Sequence, residues 1–190
     1  MTTPNLIENP GGESSAGSAD GNPVAAPKWT KGPQSGFTPV KYGVGLFPTS
    51  TTAGPPSRGK NFFAGGPLGT RPVVTASHTI SLAAYATAIS KGSVKYTLSG
   101  WFGGFSDQDD NAELSVTFKS ATGASVGTSG SIGGFKAADR GYTTTFLPAT
   151  KAGAVPKTAR TALVTITMQW TQGFYVDGYS DNLILVLSGT

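Results

Sequence analysis

The sequence predicts an all-β protein, an antiparallel β-sandwich of short strands, and three observations carry that expectation. Among 190 residues there are 27 Gly and 13 Pro but only 13% charged residues, so turn formers abound while the Glu-, Lys- and Leu-rich runs that build surface helices are missing. Several segments alternate apolar and polar residues with the period of two that a strand buried on one face requires. Turn signals at Lys91-Gly92, Thr122-Gly123, Gly133-Gly134, Lys151-Ala152-Gly153 and Gln172-Gly173 separate those segments at the spacing of a sandwich.

Taken in order, residues 1–4 form an N-terminal tail. Residues 14–72 are crowded with Gly, Pro and Ser and show strand character only near 37–42 and 61–63. They read as long loops decorating a few strands, anchored by Trp29, Phe37, Tyr42, Phe47, Phe62 and Phe63, more aromatic residues than a disordered linker carries. Residues 81–90 can hold a helical turn or two. Val94, Tyr96 and Leu98 begin the next strand. Ala112, Leu114, Val116 and Phe118 then alternate with Asn111, Glu113, Ser115 and Thr117 in the clearest strand of the chain. Val164, Ile166, Met168 and Trp170 repeat the pattern, which places Trp170 in the core. Residues 183–187 are apolar on both faces and read as a central strand covered on both sides. No internal repeat is evident, which argues against propellers and solenoids. A chain of this length forms one domain, residues 1–190, with one well-buried core.

Composition also narrows the chemistry. Cysteine is absent, which excludes disulfides, thiolate metal sites and thiol nucleophiles. A net charge of +4 is spread over loops without a basic run, the pattern of a solvated surface and not of a nucleic-acid face. No apolar stretch approaches the roughly 18 residues that span a bilayer, so membrane insertion is not expected. Met1-Thr2-Thr3-Pro4 lacks the features of a signal peptide. The chain is expected outside the cell or on a virion surface, reached after removal of a leader or by release in a bacteriophage particle.

Enzyme signatures fare poorly. Gly123-Ala124-Ser125-Val126-Gly127 matches the G-x-S-x-G pattern, but it follows the 112–118 strand and precedes more Gly and Ser instead of a helix, so a hairpin loop is expected. The single histidine, His78, sits beside Ile80 in a strand-like segment and reads as a partly buried or edge residue. Only ten acids exist, and none forms an obvious hydrolytic pair. The cluster Asp107-Gln108-Asp109-Asp110-Asn111, with Glu113 beyond, resembles the start of a calcium loop but lacks the glycine and the closing Glu of an EF-hand. It is either a rim loop that binds a ligand or a solvated connection. Because it follows Trp101-Phe102-Gly103-Gly104-Phe105, Gln108 and Asp109 are candidate ligand-binding residues: sugar recognition combines an aromatic platform with planar polar groups. Trp101 falls out of phase with Tyr96 and Leu98, on the opposite face of its strand. Trp29, Tyr42, Trp101, Tyr175 and Tyr179 are the candidate exposed aromatic surface.

Three segments carry a resemblance to a known family. Asn5-Leu6-Ile7-Glu8-Asn9-Pro10-Gly11-Gly12-Glu13, Leu98-Ser99-Gly100-Trp101-Phe102-Gly103-Gly104 and Tyr175-Val176-Asp177-Gly178-Tyr179-Ser180-Asp181-Asn182-Leu183-Ile184-Leu185 resemble the opening, middle and closing strands of jelly-roll carbohydrate-binding modules, a galactose-binding-like β-sandwich. The resemblance implies that the two ends pair in one sheet. It further implies a structural Ca2+ held by an acid from each end, Glu13 and Asp181, with Asn182 and loop carbonyls completing the oxygen shell. Gly12 stands where such modules commonly carry a bulky residue. Implied for function is non-catalytic recognition of a glycan or cell-surface polysaccharide. The rival is a bacteriophage virion protein, a capsid decoration or tail-associated protein contacting other virion proteins, built on the same jelly roll; a hydrolase stands third.

Overall fold

A computed structural model of the chain describes residues 1–33, 35–70 and 72–190. Eleven strands form over the described residues: β1 (Thr30–Lys31), β2 (Thr38–Lys41), β3 (Asn61–Pro67), β4 (Val73–Ser81), β5 (Lys95–Gly104), β6 (Asn111–Lys119), β7 (Ser125–Thr128), β8 (Ile132–Gly133), β9 (Thr145–Ala154), β10 (Thr161–Gln169) and β11 (Tyr175–Ser188). Between β4 and β5 lie a 3-10 turn (Ala83–Tyr85) and one helix, α1 (Ala86–Lys91). The helix buries Ile89 and stops at Gly92, whose φ of 81° is the left-handed cap that lets its N–H reach the Ile89 carbonyl.

The strands make two antiparallel sheets, one ordered β1-β4-β10-β6-β7 with β8 also on β6, the other β2-β3-β11-β5-β9. Alternation decides which side chains meet between them. From β10, Ala162, Val164, Ile166 and Met168 are buried; its neighbours β4 and β6 contribute Val74, Ala76, Leu114, Val116 and Phe118, and the second sheet adds Leu98, Phe102, Leu183, Leu185 and Leu187. The fold is therefore the antiparallel jelly-roll sandwich that the sequence predicts.

β11 organises the second sheet. One edge pairs with β5 along its length, and the other pairs with β3 from Tyr175 to Ser180. Beyond that point the N-terminal segment takes over: the Thr3 and Leu6 amides donate to the Leu187 and Leu185 carbonyls, and the Leu183 amide donates to the Pro10 carbonyl. Asn5 completes the seam, its side chain donating to the Leu183 carbonyl and accepting from the Leu185 amide. The two chain ends thus share one sheet.

Several expectations are corrected. Trp29 is 7% exposed and packs against Phe37, Phe63 and His78 inside the sandwich while its ring N–H donates to the Asn9 carbonyl. It belongs to the core and not to a binding surface. Trp170 is only half-buried, because it lies past the end of β10 with its ring N–H on the Gly173 carbonyl. Residues 183–187 are covered on one face only, since Ile184 is 38% exposed; the doubly covered part of β11 is residues 176–181. His78 lies inside its sheet, opposite Val164 of β10, and is 8% exposed.

The loops of residues 42–60 cover a sheet face and not an end of the sandwich. Val40, Phe62, Ala64, Phe146 and Tyr179 form a second cluster apart from the main core, closed by Tyr42, Phe47, Trp101, Phe105 and Tyr175. Phe47 reaches it from the loop and packs edge-on against Tyr175 and Tyr179 at 5.2 and 6.2 Å.

Candidate functional site

On either side of this aromatic cluster the outer face of the second sheet is open. The larger opening is a groove of about 480 Å3 whose floor is built by β5, β9 and β11: Trp101 and Ser99, Pro148 and Thr150, Asn182 and Ile184. Pro56 and Ser57 of the covering loop form its wall. Register fixes the arrangement, because Trp101 lies opposite Asp181 on one side and Pro148 on the other, and Ser99 opposite Ile184 and Thr150. Residues two apart on a strand share a face, so one half-exposed ring stands among hydroxyls and an amide. The Asn182 side chain donates to the Ser57 carbonyl at 3.2 Å, which ties the wall to the floor.

A smaller pocket of about 210 Å3 lies at the other end of the cluster, lined by Phe47, Phe105, Gln108, Tyr175, Asp177 and Tyr179, with Leu46 at the mouth. The Asp177 carboxyl is 9% exposed, and burial pushes it up to about 6 even though the Tyr179 hydroxyl donates to it at 2.6 Å.

The loops bounding this pocket are fixed by two buried charges. The Asp110 carboxylate accepts from the Thr171 amide and hydroxyl at 2.6 and 2.8 Å, from the Gln172 amide at 3.3 Å and from the Asp177 amide at 2.8 Å. The Arg140 guanidinium donates to the carbonyls of Gly104, Ser106, Gln108 and Thr143. Hydrogen bonds with one ionised partner are roughly twice as strong as neutral ones, so these two side chains tie the loops together. Asp109 accepts from the Ala137 amide at 3.1 Å. The 107–113 loop is consequently a braced connection, and of its predicted ligand-binding residues Gln108 lines the pocket while Asp109 braces the loop.

The two acids expected to meet do converge. Asp181 Oδ1 and Glu13 Oε1 lie 2.5 and 3.9 Å from the point where a Cβ on Gly11 would stand, and the first distance is a clash, so glycine makes room for the Asp181 carboxyl. Asp181 is fully buried, accepts from the Tyr42 hydroxyl at 2.6 Å and from the Asn182 amide at 2.7 Å, and is pushed up to about 7, chiefly by burial, with Glu13 adding to the rise and Arg58 opposing it. Glu13 accepts from the Lys60 and Asn61 amides. Arg58 lies 5.2 Å over the Tyr42 ring. Among the described residues no group of three or more acids or histidines gathers, so a cation here would draw most of its oxygens from carbonyls. The Asn182 side chain donates to the Ser57 carbonyl, while its backbone amide donates to Asp181.

Of the predicted aromatic surface, then, Trp101 lines the groove, Tyr175 lines the pocket and Tyr42 covers the acid pair, whereas Trp29 and Tyr179 are not surface residues: Trp29 is in the core, and Tyr179 is fully buried beneath the covering loop, with its hydroxyl on Asp177 behind the pocket. Ser125 begins β7 beyond the tight turn at 120–124, the hairpin expected of the G-x-S-x-G stretch. Sequence reasoning missed Asp177, Phe47 and Phe105, although the Asp177-Gly178-Tyr179 step within the closing segment offered a signal: an acid in a strand otherwise rich in apolar residues.

No family model matches the chain, and none of the curated proteins matches it. Among solved structures, a family 16 carbohydrate-binding module superposes with a TM-score of 0.57 at 14% identity, covering 95% of this chain and 99% of that one. The enzymatically active domain of bacteriophage CBA120 tailspike protein 4 gives 0.54 at 16% identity, covering 95% of this chain, which spans only 21% of that protein. A CBM22-GH10 segment of Clostridium thermocellum xylanase 10B, complexed with xylohexaose, gives 0.52 at 15% identity over 84% of this chain and 26% of that one. At these identities the likeness is one of fold, the β-sandwich shared by such modules.

Proposed function

We propose that the chain is a non-catalytic module that recognises a glycan or cell-surface polysaccharide through the groove around Trp101. The observation that carries the reading is the groove itself: a half-exposed indole flanked by Ser99, Thr150 and Asn182 on a rigid sheet floor. Sugars present apolar C–H faces for stacking and hydroxyls for hydrogen bonds, and this surface offers a partner for each. A polysaccharide chain can lie along an open groove without being enclosed. The fold neighbours support the reading, since a family 16 carbohydrate-binding module and a xylanase module share the sandwich.

In this reading Glu13 and Asp181 hold a structural Ca2+ where the first and last segments of the sheet meet. Their convergence at Gly11 and the cost of burying Asp181 unpaired support it, because a bound cation would supply the charge that burial leaves uncompensated. Such a module works outside the cell or on a particle surface, where its polysaccharide is found. The tailspike likeness supports a second reading, in which the same module serves a bacteriophage tail or capsid and contacts other virion proteins.

The test is binding of the whole chain to a panel of glycans and bacterial cell-wall polysaccharides, with calcium and with chelator. A specific ligand whose affinity falls roughly tenfold or more in Trp101→Ala, a loss of about 1.5 kcal/mol of stacking, is the expected result. Absence of any ligand under both conditions would turn the assignment to the virion role, which pull-down against purified tail and capsid proteins then checks.

A further inference from the structure

We infer that the smaller pocket, separate from the Trp101 groove, binds an amine-bearing ligand, a sugar or sugar terminus carrying a free protonated amino group. Phe47, Phe105, Tyr175 and Tyr179 supply aromatic walls, and Asp177 and Gln108 supply the polar groups. The Asp177 carboxylate presents only acceptors, and the Gln108 amide presents an acceptor oxygen beside its N–H donors. Gln108 Oε1 is buried with no hydrogen-bond partner, and among the described residues only the Tyr179 hydroxyl donates to the Asp177 side chain. Asp177 and Gln108 Oε1 are buried acceptors with capacity to spare, so a ligand without donors would leave them unpaired.

Charge sharpens the selection. Aromatic faces attract cations through their ring quadrupoles, and a carboxylate at the base of such a set gives the arrangement that captures alkylammonium groups. The charged groups around Asp177 are Asp110, from the start of β6, and Arg140, from the loop before β9; Tyr179 and Tyr175 are the titratable hydroxyls beside it. Two acids against one guanidinium leave the site net negative above the titration of Asp177 at about 6. The unpaired Gln108 Oε1 and the remaining acceptor capacity of Asp177 favour an ammonium with N–H bonds over a quaternary one. At about 210 Å3 the pocket is smaller than the roughly 300–1,000 Å3 that drug-sized ligands occupy, so it admits a single ring or a terminal group. Gly173 beside the Gln108 amide and the exposed Leu46 at the mouth leave entry open.

Isothermal titration of the whole chain at pH 7.5 with a glucosamine oligomer, its fully N-acetylated counterpart and choline tests this. Expected is binding of the glucosamine oligomer at least tenfold tighter than of either other probe, weakening as pH falls through about 6. Asp177→Asn should abolish it, and Gln108→Ala should weaken it severalfold. The Gln108 variant keeps the test decisive if the Asp177 variant fails to fold. Gln108 and Asp177 line this pocket and not the groove, so loss of the amine in these variants separates the two sites. Equal affinity for the acetylated oligomer, equal or better affinity for choline, or no binding of the amine would each overturn the inference.

Discussion

Asp181→Asn tests what the buried end of the acid pair costs and what neutralises it. In the metal-free chain the Asp181 carboxyl titrates near 7 against an ordinary value of 3.8. Its protonated form is therefore the one the fold prefers. Between those two pH values the folded chain holds a proton that the unfolded chain has released, so stability falls as pH rises, by up to about 1.4 kcal/mol per pH unit. Over roughly three units the ceiling is about 4 kcal/mol, all of it present below pH 4 and lost by the time pH has risen past 7. Asparagine removes the titration without removing the contacts, since its oxygen can still accept from the Asn182 amide and its amide can donate to the Tyr42 hydroxyl oxygen. In chelator, urea unfolding at pH 5 and pH 8 should show the wild type losing stability between them and the variant losing about 2.7 kcal/mol less, the two units from pH 5 to about 7. The same experiment reads the ion: Ca2+ at a hundred times its dissociation constant should raise wild-type stability at pH 8 by about 2.7 kcal/mol and leave the variant unmoved. Parallel pH dependence of the two proteins in chelator would refute the burial argument, and an undiminished calcium response in the variant would refute the proposed ligand.

Two further substitutions probe the frame around the sites. Asp110→Ala removes the acceptor of the Thr171, Gln172 and Asp177 donors; Thr171 and Gln172 are exposed and can turn to water, so urea unfolding should lose about 1–3 kcal/mol, the cost of the buried Asp177 amide, and hydrogen exchange should show the Thr171 and Asp177 amides losing protection. Trp29→Ala empties a fully packed site between Phe37, Phe63 and His78 and should cost about 3–5 kcal/mol in the same assay while leaving polysaccharide binding by the folded fraction intact.

What the sequence disclosed follows a physical line. β6 and β10 were legible because each has one face in the core and one toward polar surroundings, and that contrast writes itself as alternation. β9 was not: its Thr-Phe-Leu-Pro-Ala-Thr-Lys-Ala-Gly-Ala stretch is an edge strand, largely exposed, with a proline that an edge tolerates, and so carries no period. Trp29 misled because its surrounding residues are loop-like, whereas burial of a loop aromatic is decided by partners far away in sequence. Asp110 could not be told from its neighbours Asp107 and Asp109, since what distinguishes it is a set of donors some sixty residues further on. The pairing of the chain ends was readable only through the resemblance, because isolated seams such as Asn5 with Leu183 and Leu185 have no local signature.

The covering loop explains why one sheet face carries two separate openings. Val40, Phe62, Phe146 and Tyr179 place large apolar side chains on the outer face, one from each of β2, β3, β9 and β11, and an uncovered patch of that kind invites association or aggregation. Residues 42–60 resolve this by laying Tyr42 and Phe47 over the patch, and Arg58 pins the loop through the Pro55, Thr49 and Thr52 carbonyls. The cover stops at both ends of the cluster. Where it stops beside β5 and β9, the sheet floor sets Ser99, Thr150 and Asn182 among Pro148, Ala149 and Ile184 around Trp101 and suits an extended chain; where it stops at the loop end, the floor is aromatic around Asp177 and suits a compact cation. The same loop therefore sets the boundary of both sites, and shortening it should merge them at the expense of the selectivity of each.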